Sequence, residues 1–327
     1  MIAISLFKKL NAEGFISDAS FEKVQAESTS GVLSVQWELK TILYLGVLLL
    51  SGGLGILVYK NIDTIGHQAI LAFIALISAG CFYYCTKTKL PFGWGKIAAH
   101  NALSDYVLLL GCLTFISFIA YLQYQYNVFG NRYGLATFLP TVVLFLVAYY
   151  FDHLGILSMA ITSFAAWMGL TVTPLHLLQS NDFNDSRIIF TGMGIGVVLL
   201  VAAWATQQRK WKTHFEFTYN NFGTNILYVS LLAAMFRFDE IGWLLWFVIF
   251  ALFAFYTFKK STAERSFYFI LISTLYSYIA ASFVVVKILS FGSFEMGAVY
   301  LGLIYFIASA VWLVTFLIKT NKRFKTL

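Results

Sequence analysis

An aspartate and a histidine stand side by side at Asp152-His153, and a second acid–imidazole combination, His100 with Asp105, lies upstream. A carboxylate beside an imidazole can fix the ring's tautomer for acid–base work, and the two groups can also share a metal ion. Adjacent residues point in different directions, so Asp152 and His153 would need partners from elsewhere in the chain to do either. Without such partners, the pair reads as a hairpin cap interacting with helix ends. A second concentration of polar chemistry is the run Gln123-Tyr124-Gln125-Tyr126, with Asn61 and His67 close to it in the expected topology. Alternating amides and phenols could stack on and hydrogen-bond a sugar or a lipid headgroup. The same residue types are also what a helix carries where it leaves lipid. Cys81 and Cys85 share a helix face at i, i+4, but no His lies near them, and three cysteines cannot form a paired framework. With Cys112 they read as small apolar packing residues, so no metal is expected. No nucleophile–base motif, zinc motif or phosphate-binding loop is present, and no cofactor is implied.

The elements that must position these residues are set by composition. The chain of 327 residues is 60% hydrophobic and 11% charged, where soluble domains are about a quarter charged. Ten apolar stretches run at Thr41–Tyr59, Gln68–Thr86, Leu103–Gln123, Gly134–Phe151, Leu154–Thr173, Ile188–Thr206, Phe222–Phe236, Ile241–Phe258, Ser266–Val286 and Gly297–Ile318. About 20 residues at ~1.5 Å each cross a hydrocarbon core of ~30 Å. Backbone polar groups find no water in lipid, so the stretches must be helical. The expected fold is all-α: a polytopic membrane protein of about ten transmembrane helices. Residues 32–327 form the membrane domain, and residues 1–31 form a small helical segment before it. No Asp, Glu, Lys, Arg or His lies in the middle of any stretch, which weighs against a proton pump or carboxylate relay.

Orientation follows from the loops. With ten crossings, seventeen Lys and Arg fall on one side and five on the other. The positive-inside rule then makes both termini cytoplasmic in a bacterial inner membrane. Joining the fourth and fifth stretches across Asp152-His153 removes this asymmetry, so two separate spans are expected there. The formal charge of +7 therefore reads as a topogenic signal and as attraction to anionic lipids at the cytoplasmic face. Nucleic acid is not implied. The start through Lys8 and Lys9 lacks the apolar core of a cleavable signal, so the first span should serve as signal anchor.

Within residues 1–31, Leu6 and Leu10 suit one short amphipathic helix ended by Gly14. Ser17 or Asp18 can cap a second helix bearing Phe21 and Val24, and Ser28–Gly31 reads as a linker. Helices this short need a surface to pack on: the bilayer, the cytoplasmic loops or a membrane-protein partner. Gly52, Gly53 and Gly55, and again Gly192, Gly194 and Gly196, offer smooth faces for close helix packing inside the membrane. Pro140 should kink the fourth stretch or mark a later helix start.

Three segments together resemble a family of predicted bacterial membrane proteins of unknown function, numbered 2157. They are Leu10-Asn11-Ala12-Glu13-Gly14-Phe15-Ile16-Ser17, the Gly-rich first span from Leu45-Gly46 to Tyr59-Lys60-Asn61, and Leu122-Gln123-Tyr124-Gln125-Tyr126 followed by Gly130. The likeness covers roughly residues 5–150. The family's usual Asn-Trp after the first span is Asn61-Ile62 here. The resemblance implies architecture and carries no activity.

Three functional classes remain open. A carrier or binder of a neutral or amphipathic solute, such as a lipid or envelope precursor, would use Asn61, His67, Gln123, Tyr124, Gln125 and Tyr126. A scaffold or regulatory subunit would dock a partner through residues 1–31. A membrane-embedded enzyme would use the inner polar cluster of His100, Asp105, Asp152 and His153, and would need Asp105, Asp152 and His153 to converge within hydrogen-bonding reach.

Overall fold

A computed structural model describes residues 7, 10–13, 15–29, 36–97, 102–130, 132–172, 186–238, 242–291 and 295–326. His100, His176, Gln179, Asn181, Asp182 and Asp185 lie outside them, as do Asp239 and Glu240. The described residues are helical, with α1 Asp18–Thr29, α2 Gln36–Ile65, α3 His67–Thr88, α4 Ala102–Tyr126, α5 Tyr133–Phe151 and α6 Leu154–Val172. There follow α7 Ser186–Arg209, a short 3₁₀ turn Thr213–Phe215, α8 Glu216–Arg237, α9 Gly242–Ala263, α10 Phe267–Phe291 and α11 Glu295–Thr326. The chain divides into two compact units, Met1–Gly66 and His67–Leu327.

In the first unit, Ser17 caps α1: its carbonyl accepts the N–H of Phe21, and its hydroxyl lies 3.4 Å from the Ser20 amide. The helix runs on to Thr29, through half of the expected Ser28–Gly31 linker. In α2, a Cβ added at Gly46, Gly52, Gly53 or Gly55 would meet no atom within 4 Å.

Among the described residues nine helices are long and apolar enough to cross a membrane: α2 to α7 and α9 to α11. The seventh expected stretch, Phe222–Phe236, also forms a helix, but the whole of α8 carries Glu216, Thr218, Asn220, Asn221, Thr224, Asn225 and Ser230. Its polarity has a physical reason. Eleven of its residues are buried, so its sides face other helices, where polar groups find partners. Asn221 and Asn225 bond the Tyr268 and Tyr276 hydroxyls of α10 at 2.7 and 3.1 Å. The Tyr228 hydroxyl meets Thr257 of α9 and Ser273 of α10. One buried cluster of this unit gathers around the same helix, at Leu227, Tyr228, Leu231, Leu232, Met235, Phe250 and Ala280.

The second unit is built from neighbouring antiparallel helices. The α3–α4 pair closes where Ser78 Oγ donates to the Gly111 carbonyl at 3.1 Å. A Cβ at Gly111 would stand 2.9 Å from Cys81 Cβ, and Cys85 and Cys112 are buried beside it. The α5–α6 pair is tied by Thr141 and Ser163, 2.7 Å apart. Phe151 and Leu154 are separate helix ends: Asp152 takes the left-handed conformation at φ 61°, and its N–H returns to the Ala148 carbonyl. An Asp tolerates that backbone region better than most residues, and it makes the tight break between two helices. Pro140 lies buried inside α5, which continues through it. The α7–α8 pair packs closely through Gly192 and Gly196. The connections α3→α4, α5→α6 and α7→α8 meet at one end of the unit, where Lys212 N–H donates to the Trp94 carbonyl at 2.8 Å.

Candidate functional site

A groove of about 990 Å³ runs between α4, α5 and α6, at the upper end of the volume range of small-molecule sites. From α4 it takes Ile116, Ala120, Gln123 and Tyr124, which form a single stripe at 3.6-residue spacing, and from just past its end Asn127. From α5 come Tyr133, Ala136, Thr137 and Pro140, and from α6 Ser158, Met159, Thr162, Ser163, Ala166 and Leu170. Among the described lining residues there is no Asp, Glu, Lys, Arg or His.

The polar atoms of the groove have a definite polarity. Hydroxyls of Thr137, Ser158 and Thr162 donate to backbone carbonyls on their own helices, Gly134, Leu154 and Ser158, at 3.1, 3.1 and 2.9 Å. Their protons are committed, which leaves oxygen lone pairs to accept from an occupant. Asn127 Oδ1 accepts from Gln123 Nε2 at 2.9 Å, leaving the Asn127 amide N–H groups to donate. Tyr124, 84% exposed, and Tyr133 flank this end.

Of the six residues expected at this end, Gln123 and Tyr124 line the groove. Gln123 is buried and its amide is spent on the turn after α4. Nε2 donates to Asn127 Oδ1 and the Gly130 carbonyl, both at 2.9 Å, and Oε1 accepts the Phe129 N–H at 2.9 Å. It shapes the groove end and has no free amide to offer a ligand. Gln125 and Tyr126 fall outside the lining, because steps of about 100° per residue turn them off the α4 stripe. His67 Nδ1 pairs with the Tyr121 hydroxyl at 2.7 Å, joining α3 to α4. The Asn61 side chain is not among those described.

At the other end of α5–α6, Asp152 gains the partners that its sequence neighbours could not give. Its Oδ1 accepts from Lys212 Nζ at 3.0 Å and lies 2.7 Å from His214 Nε2. Its Oδ2 accepts the Ile97 N–H at 2.7 Å. The Lys212 side chain is 0% exposed and that of Asp152 3%; Lys212 Nζ also faces the Gly95 carbonyl at 3.4 Å and the Phe92 ring at 5.2 Å. One carboxylate thus ties three connections together. Both members of the ion pair hold a positive φ, 61° at Asp152 and 46° at Lys212.

His153 turns the other way. Its Nδ1 accepts the Ile156 N–H at 3.2 Å, capping α6. Burial pushes the imidazole below its ordinary range, with the charges of Asp105 and Asp152 acting against the shift. Of the inner residues, Asp152 bonds Lys212 and His214, and the charges of both Asp105 and Asp152 act on His153. Lys212 and His214 were missed because the α7–α8 connection reads from sequence as a basic topogenic loop. No group of three or more His, Cys, Asp or Glu suited to a metal ion occurs among the described residues.

Residues 8–157 match the model of a family described as predicted membrane protein (DUF2157). The matched stretch contains the three segments that carry the resemblance, the α4 and α5 walls of the groove, and Asp152-His153. No curated protein matches the chain, and no solved structure does.

Proposed function

We propose that this multi-pass membrane protein binds, and in doing so carries or presents, a neutral amphipathic solute such as a lipid or envelope precursor in the α4–α6 groove. The observation that carries the reading is the groove's make-up. Its walls are largely apolar, it has no charged lining residue, and the hydroxyls of Thr137, Ser158 and Thr162 are committed as donors and can only accept from an occupant, with the Asn127 amide to donate at one end. Such a lining suits a headgroup rich in O–H or N–H donors joined to an apolar body. The exposed Ala120 and Ala166 lie along it, so the groove is open at the side of the helices, where a molecule could enter from lipid.

Ten crossings with both termini in the cytoplasm of a bacterial inner membrane form part of this proposal. The α7–α8 contacts support the tenth. A Cβ at Gly192 would meet Ser230, one at Gly196 would meet Leu227, and one at Gly223 would meet Leu200. The partner number falls as the α7 number rises, so α8 runs antiparallel along an apolar helix and shares its span. The cation asymmetry of the loops then gives the orientation.

The test fills the groove without touching Gln123. Wild type, Ala120→Trp and Ala166→Trp are solubilised gently from native membranes and weighed by native mass spectrometry. Wild type should retain a small molecule or specific lipid, and both variants should lose it while keeping the wild-type melting temperature. Equal retention in all three proteins would refute the assignment of the groove.

A further inference from the structure

We infer that the loop Lys89–Ile97 and the turn Arg209–Lys212 together form a prebuilt platform for the headgroups of anionic phospholipids in the adjoining leaflet. Four large apolar side chains here are 38–50% exposed: Leu90, Phe92, Trp94 and Trp211. Around them stand Lys87, Lys89, Lys96, Arg209 and Lys210, and neither segment contains an Asp or Glu. Aromatic side chains at the interface with cations beside them match a surface of acyl carbonyls and anionic phosphates.

The arrangement is a layered one. Trp94 and Trp211 stack at 4.9 Å, 24° from parallel, and Phe92 meets Trp94 edge-on at 5.2 Å. The Arg209 guanidinium lies 4.9 Å from the Trp211 ring centre, and Lys89 Nζ lies 3.2 Å over Tyr150. Rings held against cations fix charges that would otherwise sample many rotamers, so less order is lost when a phosphate arrives.

Beneath the platform lies the Asp152 clasp. The Lys212 amide holds the Trp94 carbonyl, Lys212 Nζ reaches the Gly95 carbonyl, and Asp152 Oδ2 holds the Ile97 amide. The clasp therefore fixes one segment of the platform against the other, and Asp152 is a positioning residue for it. The acid of the clasp, Asp152, is buried and already paired with Lys212.

The inference takes the identity of the leaflet from the proposed orientation. The binding itself does not depend on that orientation or on the groove, so failure of either leaves the other standing. The test places the protein in mixed micelles with equal phosphatidylglycerol and phosphatidylcholine and counts retained lipids by native mass spectrometry. Wild type should prefer phosphatidylglycerol. Lys89→Gln/Arg209→Gln/Lys210→Gln should reduce that preference by roughly five-fold for each cation removed. Lys319→Gln/Lys322→Gln/Arg323→Gln changes net charge equally and should reduce it much less. Equal losses in the two triple variants, or no preference in wild type, would overturn the platform.

Asp152→Asn sets the sign for the clasp. Removing a negative charge should raise the preference if net charge alone governs it. It should lower the preference if Asp152 holds the platform together, and a rise would overturn the positioning role.

Discussion

Asp152→Asn is the perturbation whose energetic consequence follows most directly from the geometry. Asn keeps the size of the side chain and tolerates the left-handed backbone at φ 61°, so the change is mainly one of charge. It leaves the Lys212 ammonium, 0% exposed, facing the Gly95 carbonyl and the Phe92 ring. Breaking a buried pair from one side costs about 3–5 kcal/mol. Adding Lys212→Met removes the orphaned charge, so the double variant should be more stable than Asp152→Asn alone. The assay is reversible unfolding in mixed dodecylmaltoside–dodecyl sulfate micelles from pH 6.5 to 8.5. A loss below about 1 kcal/mol for Asp152→Asn, or a double variant no better than the sum of the singles, would refute a buried ion pair here.

His153 is buried and its neutral Nδ1 caps α6. Its proton affinity is lowered on folding, so stability should be full above the ordinary histidine range and fall as pH drops through about 6.5. His153→Asn preserves an acceptor for the cap and should flatten that part of the unfolding-versus-pH curve; identical slopes for the two proteins between pH 5.5 and 7 would count against it. The glycine string of α7 gives a contrast within five residues. Gly196→Ala would put a Cβ 2.9 Å from Leu227 Cβ and 3.1 Å from its amide nitrogen, costing about 1–3 kcal/mol by overpacking. Gly194→Ala meets nothing within 4 Å and should stabilise by up to about 1 kcal/mol through helix propensity. Equal effects in unfolding measurements would mean that α7 does not present this face to α8.

The groove was half legible in the sequence. The run Gln123–Tyr126 advertised polar chemistry, but a helix divides four consecutive residues among different faces, and only Gln123 and Tyr124 keep the groove stripe. The readable signal was periodic. Ser158, Thr162, Ala166 and Leu170 recur at four-residue steps, as Ile116, Ala120 and Tyr124 do. Small residues at that spacing read equally well as helix packing, and only the third helix decides whether the stripe is filled or left open. Asp152 carried a correct warning that it needed partners from elsewhere. Their identity depended on three connections meeting at one end, which no local pattern encodes. Lys212 in particular reads as one more topogenic cation, although it is buried and paired.

With the ten crossings proposed above, helix α8 marks where hydropathy stops being a sufficient guide. Hydropathy registers a crossing because lipid-facing side chains must be apolar; a helix surrounded by other helices is released from that requirement. Asn221, Asn225 and Tyr228 lie on one side of α8 at steps of three and four residues, and each bonds a hydroxyl of α9 or α10. Each of these groups would be costly in lipid and is satisfied in the bundle, so they specify which neighbours α8 takes. The most polar helix of the second unit is also the most buried. By contrast, α11 is apolar along Val299–Phe324 with none of that window buried. Low hydropathy in a helix of spanning length is therefore a signature of the centre of this fold, and the α7 glycines that admit α8 at close range are its counterpart in sequence.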